Sequence, residues 1–222
     1  MSSTRVRPFA FALLFCLAAC RVHGGSGSGP EVKGDGVSKT ESRSVAAFDA
    51  IEITAPVSLV LTTGPVAVSI RGDENVLPLV TTTVADGKLV VDATGRFESS
   101  GPVVLEVHAP AVARIAVKGS GKVTARGIAV TRFALDMRGA ADVTLAGHAD
   151  RVDIDLGGAG NVVAGDLTAK EGHVHLDGMG NVEVNATDTL ETRINGAGVV
   201  SYRGKPALMK TGSGLGTVVP LS

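Results

Sequence analysis

The chain has 222 residues, enough for one domain behind a leader. Its 21 basic and 22 acidic residues leave a formal charge of −1, and aromatic residues make up only 3%, with no Trp and one Tyr. With neither a basic patch nor a cluster of aromatics on which bases could stack, the chain is not built for nucleic acid, and its small β-branched residues suit narrow, regular coils better than a bulky globular centre.

Residues 1–20 read as an export signal rather than as fold. Arg5 and Arg7 give a positive start, and Phe9 to Ala19 is apolar but too short to span a bilayer as a helix. The stretch ends in Leu17-Ala18-Ala19-Cys20, which resembles a bacterial lipobox. In that reading Cys20 is diacylated and becomes the new N-terminus, a membrane anchor strengthened by about 0.8 kcal/mol per buried methylene. The plainer alternative is an ordinary signal peptide in which Cys20 is incidental. Arg21 follows the cysteine, where Gram-negative lipoproteins held at the inner membrane carry an aspartate, so the resemblance implies sorting to the outer membrane. Cys16 leaves with the leader and Cys20 is lipidated, so no disulfide is expected in the mature fold despite its exported address.

Residues 21–43 read as a flexible tether, with Gly24-Gly25-Ser26-Gly27-Ser28-Gly29-Pro30 at its start and no apolar periodicity. The folded domain is expected over 44–222. Phe48, Ile51 and Ile53 open its pattern. Val57, Leu59 and Leu61 alternate, as do Val66, Val68 and Ile70, and the turn residues Thr62-Thr63-Gly64-Pro65 between them predict a strand pair. Val76-Leu77-Pro78-Leu79-Val80 predicts a short helical turn or an irregular corner. Asp86-Gly87 predicts a hairpin between Thr81–Val84 and Lys88–Val91.

A glycine phrase then recurs: Gly119-Ser-Gly121, Gly139-Ala-Ala141, Gly158-Ala-Gly160, Gly178-Met-Gly180, Gly196-Ala-Gly198 and a partial Gly212-Ser-Gly214-Leu-Gly216, counted from Gly212. A period of about 20 residues marks a solenoid, in which each coil buries its apolar face on its neighbours. Counting from each first glycine, two columns are expected to point inward: Val123, Val143, Val162, Val182 and Val200, and two residues on Ala125, Leu145, Ala164, Val184 and Tyr202. Counting back from the next glycine gives a second inward strand, with Met137, Leu156, Leu176 and Ile194 in one column and Leu135, Ile154, Val174 and Thr192 in the other. Each coil thus holds at least two short strands, with room for a third. The fold class expected is an all-β, single-stranded β-solenoid behind an N-terminal part rich in β-hairpins.

The glycine phrases lack the third glycine of a dinucleotide fingerprint and the Gly-Lys-Ser/Thr of a phosphate loop, so they read as structural corners. Asn161 and Asn181 recur at one position and suggest a side-chain amide ladder or, alternatively, a polar edge for sugar hydroxyls. The most suggestive residues lie outward on the second strand. Asp153-Ile-Asp155 in one coil should stack on His173-Val-His175 in the next, Asp136 precedes Asp155, and Glu191 and Arg193 continue the columns. Asp153, Asp155, His173 and His175 could hold Zn²⁺ or another divalent ion, or form a solvent-exposed ladder of complementary charges. The acids could also serve polysaccharide chemistry, although they are too few and too regular for acid and base roles to be assigned. No Gly-x-Ser-x-Gly elbow and no mature cysteine offers a nucleophile, so no catalytic residue is assigned and no cofactor is expected.

The stretch from Ser44 to Ser222 resembles the bacterial head-GIN-domain family, labelled as autotransporter-adhesin-like. The likeness lies in Arg43-Ser-Val-Ala-Ala-Phe48-Asp-Ala-Ile51, in Gly72-Asp73-Glu74-Asn75-Val-Leu77 followed by Val84-Ala-Asp86-Gly87-Lys-Leu89, and in the run of glycine corners each followed by valine. The resemblance implies an exported or lipidated β-solenoid, a right-handed parallel β-helix, and it brings no catalytic residues. The expected protein is a non-catalytic, lipid-anchored envelope module that binds a polysaccharide or protein partner through its polar outer faces. The alternatives are an enzyme or metal-binding surface protein using the Asp/His face, and a purely structural envelope element.

Overall fold

Strict alternation of apolar and polar residues dictates strands, and the computed structural model, which describes residues 31–221, is all-β. The expected leader, the expected lipidation at Cys20 and the glycine-rich start of the expected tether lie outside the described residues. The first part of the chain supplies short strands: β1 (Val32–Lys33), β2 (Ser38–Arg43), β3 (Ala50–Ile53), β4 (Ser58–Thr63) and β5 (Ala67–Asp73). A single 3-10 turn at Leu77–Leu79, with Pro78 in it, leads to β6 (Val80–Ala85), β7 (Lys88–Ala93), β8 (Phe97–Glu98), β9 (Val104–Ala109) and β10 (Arg114–Val117). Four long strands then each run around one coil: β11 (Ser120–Met137), β12 (Ala140–Leu156), β13 (Ala159–Leu176) and β14 (Met179–Ile194). The stack finishes with β15 (Ala197–Arg203), β16 (Ala207–Thr211) and β17 (Thr217–Pro220).

The coils stack in parallel and in register. Val123, Val143, Val162, Val182 and Val200 lie one above another, as do Met137, Leu156, Leu176 and Ile194. All of these residues are buried, and so are the companion columns at Leu135 and Ala125, with Tyr202 alone only half-buried. Between the two long sides the register shifts, first between Ala125 and Ile128, and a short third side (Ile128–Val130 on Gly147–Ala149) closes the coil.

The corners explain why the coils can stack so closely. A Cβ on Gly178 would collide with the carbonyl oxygen of Gly158, one on Gly158 with that of Gly139, and one on Gly139 with that of Gly119. The first glycine of each phrase is therefore required by the backbone of the coil beneath it. The second glycine is required by its dihedral angle: Gly160, Gly180 and Gly198 have φ of +138°, +154° and +151°. Ala141 fills the same position in its coil without a positive φ, so the departure from glycine is met by a local change in the corner. Within the last phrase the corner is Gly214-Leu215-Gly216, so its first glycine is Gly214 rather than Gly212, because Gly214 stacks on Gly196 and Thr217 pairs with Val199. Gly212 instead sits over Ile194, two residues earlier in the coil.

The N-terminal part differs more from expectation. The hairpin at Asp86-Gly87 forms, with β6 antiparallel to β7. However, β4 and β5 do not pair with each other. Strand β9 lies between them, parallel to β4 and antiparallel to β5. This placement extends the inward columns, since Leu59 sits between Val123 and Leu105, and Leu105 faces Ile70. Alternation alone cannot distinguish a hairpin partner from a strand arriving later in the chain. The folded part also begins earlier than Ser44: β2 lies within the stretch read as tether and pairs antiparallel with β5 from Ser38 to Arg43. Its side chains are mostly exposed, which is why it carries no apolar signal. Asp73, buried at the end of β5, binds the backbone N–H and hydroxyl of Ser100 and the hydroxyl of Ser99, and so fastens the 99–102 loop over this end.

Gly178→Ala is expected to lower stability in urea by about 1–3 kcal/mol, the cost of forcing atoms into a packed site. Gly101→Ala, at a position with open space around it, should leave stability nearly unchanged. Equal denaturation midpoints for the two variants would remove the corner argument.

Candidate functional site

The second long side of each coil points alternate residues outward, and exact stacking turns them into columns. One column runs Arg114, Ala134, Asp153, His173 and Glu191. Its neighbour runs Glu52, Ala116, Asp136, Asp155, His175 and Arg193. The expected stacking of Asp153 on His173 and of Asp155 on His175 is therefore present. The small side chain of Ala134, set among long charged ones, leaves an open groove of about 380 Å³ lined from Arg114 to Arg193.

Arginines organise the carboxylates of this groove. Arg132 Nε donates to Asp153 Oδ2 at 2.6 Å, while Arg151 binds Oδ1 through Nε at 2.9 Å and through its terminal nitrogen at 2.8 Å. Arg138 bridges two rungs, with Nε on Asp136 Oδ1 at 2.7 Å and a terminal nitrogen on Asp155 Oδ2 at 2.8 Å. Burial raises the Asp153 carboxyl, but Arg151 and Arg132 together outweigh it and hold the group below the usual aspartate range. The hydrogen bond to Asp136, aided by the charge of Asp155, raises Arg138 above its ordinary value.

The imidazoles are less tightly engaged. His173 Nδ1 lies 3.4 Å from Glu191 Oε2. His175 has Nδ1 4.0 Å from Asp155 Oδ2 and Nε2 3.0 Å from Asp177 Oδ1, the latter outside hydrogen-bond geometry. Asp177 is itself lowered, mainly by the hydrogen bond that Asn195 donates to it and, less strongly, by His175. Asp155 Oδ1 and His175 Nε2 are enclosed without a hydrogen-bond partner on the protein.

These distances bear on the metal reading. Asp153, Asp155, His173 and His175 share one face, but both carboxylates turn to arginines, and no three His, Cys, Asp or Glu side chains among the described residues converge as ligands would. The arrangement is a ladder of stacked aspartates and histidines in which arginines hold the carboxylates. Sequence reasoning missed the arginines that organise it. Arg132 and Arg151 lie two residues before Ala134 and Asp153, and Arg138 lies two after Asp136, so extending each outward column by one step would have found them.

The first long side carries the amide ladder that Asn161 and Asn181 suggested. Asn161 Nδ2 donates to Asp142 Oδ1 at 3.0 Å, Asn181 Nδ2 to Asn161 Oδ1 at 3.1 Å, and the Val199 N–H to Asn181 Oδ1 at 3.3 Å. The asparagines are thus tied to one another and to the backbone, in keeping with a structural role.

The family model described as "Putative auto-transporter adhesin, head GIN domain" matches residues 47–206. Among solved structures, the chain is similar to a "putative adhesin" of Bacteroides fragilis, with 20% identity and a TM-score of 0.70 over 86% of this chain and 100% of the other. It is also similar to a "putative adhesin" of Parabacteroides distasonis, with 21% identity and a TM-score of 0.51 over 86% and 100% of the two chains. At these identities the likeness shows the fold. No curated protein matches the chain.

Because Asp153 has a lowered pKa in the folded protein, its stabilising effect is present above the unfolded value of about 4 and is lost as pH falls through the folded value. Asp153→Asn should therefore cost about 1 kcal/mol at neutral pH, with the gap to wild type closing under acid. Urea denaturation at pH 7 and pH 3 tests this, and an equal gap at both would contradict it. Saturating Zn²⁺ should leave the melting temperature unchanged. A rise that His173→Ala abolishes would restore the metal reading.

Proposed function

The chain belongs to the head GIN domain family, and from that premise we propose that it is a non-catalytic module of the bacterial cell envelope. It is anchored by lipid at Cys20, sorted to the outer membrane, and holds an envelope polysaccharide or envelope protein against its outer faces. The observation that carries this reading is the registered outward surface. Successive coils present polar columns in register along one side, and the aspartates of those columns are already paired with arginines. Such a surface suits contact with an extended, repeating partner.

The direction of the Asp153 shift supports a non-catalytic role. Asp153 is the most enclosed of the groove's three aspartates, with its side chain 22% exposed, and its arginines hold it down. A carboxylic acid that protonates a glycosidic oxygen at neutral pH needs the opposite shift. The anchor rests on Leu17-Ala18-Ala19-Cys20 and on an apolar stretch too short to span a bilayer.

Two measurements test the reading. In cells, the full chain should sediment with outer membranes and Cys20→Ala should move to the soluble fraction; identical fractionation would remove the lipid anchor. The purified full chain should retain at least one class of isolated envelope polymer or envelope protein. Uniform failure across polysaccharides, peptidoglycan and outer-membrane proteins would remove the binding role and leave a structural element.

A further inference from the structure

We propose that the groove between Arg114 and Arg193 receives a short acidic oligosaccharide, with one sugar carboxylate on each rim arginine and sugar hydroxyls on Glu191 and His173. This inference rests on the envelope-binding reading and names its ligand class and its place on the surface.

The groove has the size of a ligand site, about 380 Å³, and spans four rung steps from β10 to β14, a length of about 19 Å. Its charges are divided by depth. The aspartates lie low, with side chains 22–34% exposed, and each already has an arginine partner. The rim cations are freer. Arg193 is exposed and makes no ion pair among the described residues, and Arg114, 58% exposed, reaches Asp136 only at 3.6 Å. A guanidinium offers a planar fork that matches a carboxylate, so two under-used forks at opposite ends of a groove select an extended ligand with a carboxylate towards each end. Beside Arg193 on β14, Glu191 supplies an exposed acceptor, and one rung nearer Arg114 His173 has a second ring nitrogen with no hydrogen bond among the described residues. These are the partners that sugar hydroxyls need.

A peptide strand fits less well. From β10 to β14 every rung on this side is paired with its neighbours above and below, leaving no free backbone edge to which a strand could add.

The experiment is calorimetric titration of the purified full chain with oligogalacturonate, and with the same oligomer after methyl esterification of its carboxylates. Wild type should bind the acid form and lose at least tenfold in affinity for the ester. Arg114→Ala with Arg193→Ala should lose at least tenfold for the acid form, whereas Lys122→Ala, on the other long side, should bind like wild type. Both arginines are exposed, so the double variant should keep the wild-type melting temperature, which is checked alongside. Equal binding of acid and ester would overturn carboxylate recognition. Unchanged affinity in the double variant would overturn the site. No binding of oligogalacturonate would overturn the acidic-sugar inference, while retention of another envelope polymer in the same preparation would leave the broader reading standing.

Discussion

The close approach of one backbone corner to the next governs this protein. Where each coil turns, a glycine lies against the carbonyl oxygen of the glycine one coil below, with no room for a Cβ between them. That contact repeats from Gly119 to Gly214 and holds the long sides of successive coils at the spacing of paired strands. The inward valines and leucines then stack on their own kind, and a core with one buried phenylalanine in its coils, Phe133, can still be filled. A chain so poor in aromatics would struggle to fill a globular centre; a column of valines needs only a close and constant rise.

The same constraint determines what the outside can do. Once the rungs are in register, an outward residue is never isolated, because it stands a few ångströms from its counterparts above and below. Asparagines at one position become a hydrogen-bonded ladder through Asp142, Asn161 and Asn181. Acids on successive rungs would repel one another if they stacked without compensation, and Asp136 and Asp155 do stack. Arg138 resolves the conflict by reaching across both rungs, and on the neighbouring column two arginines compensate the half-buried Asp153. The arginines are thus part of the condition for placing aspartates at these positions.

The parts of this structure that were legible in the sequence are those fixed by periodicity. The inward columns, the Asp153–His173 and Asp155–His175 stacking and the asparagine ladder follow from counting along the glycine phrase, because register transfers one-dimensional spacing into neighbours in space. What was not legible depends on choices that periodicity leaves open. Strand β9 enters between β4 and β5 because only pairing across more than thirty residues of chain decides it. Strand β2 was hidden by its exposure: an edge strand of Ser, Lys, Thr and Glu buries too little to mark itself. The final corner was misaligned by two residues because Gly212 and Gly214 both satisfy the pattern, and only the backbone of Ile194 and Gly196 beneath separates them. The arginine partners of the groove escaped notice because they stand one outward position along the strand from the two columns counted, and their side chains reach sideways into those columns.

This separation between what repeats and what varies also locates function. The glycine corners and inward valines are constrained by stacking in every coil, so they can carry little information specific to one ligand. The outward columns are free to differ from rung to rung, and they do: Arg114, Ala134, Asp153, His173 and Glu191 share one column without repeating. A regular scaffold makes such irregularity usable, since one small residue in a row of long ones becomes a depression of defined length and the side chains flanking it are held at fixed spacing. The groove over Ala134 is a consequence of that kind, a single alanine read out by the rigid stack on either side of it. Selection on this surface can therefore alter the ligand by changing outward residues one rung at a time, while the corner contacts that hold the rungs together remain untouched.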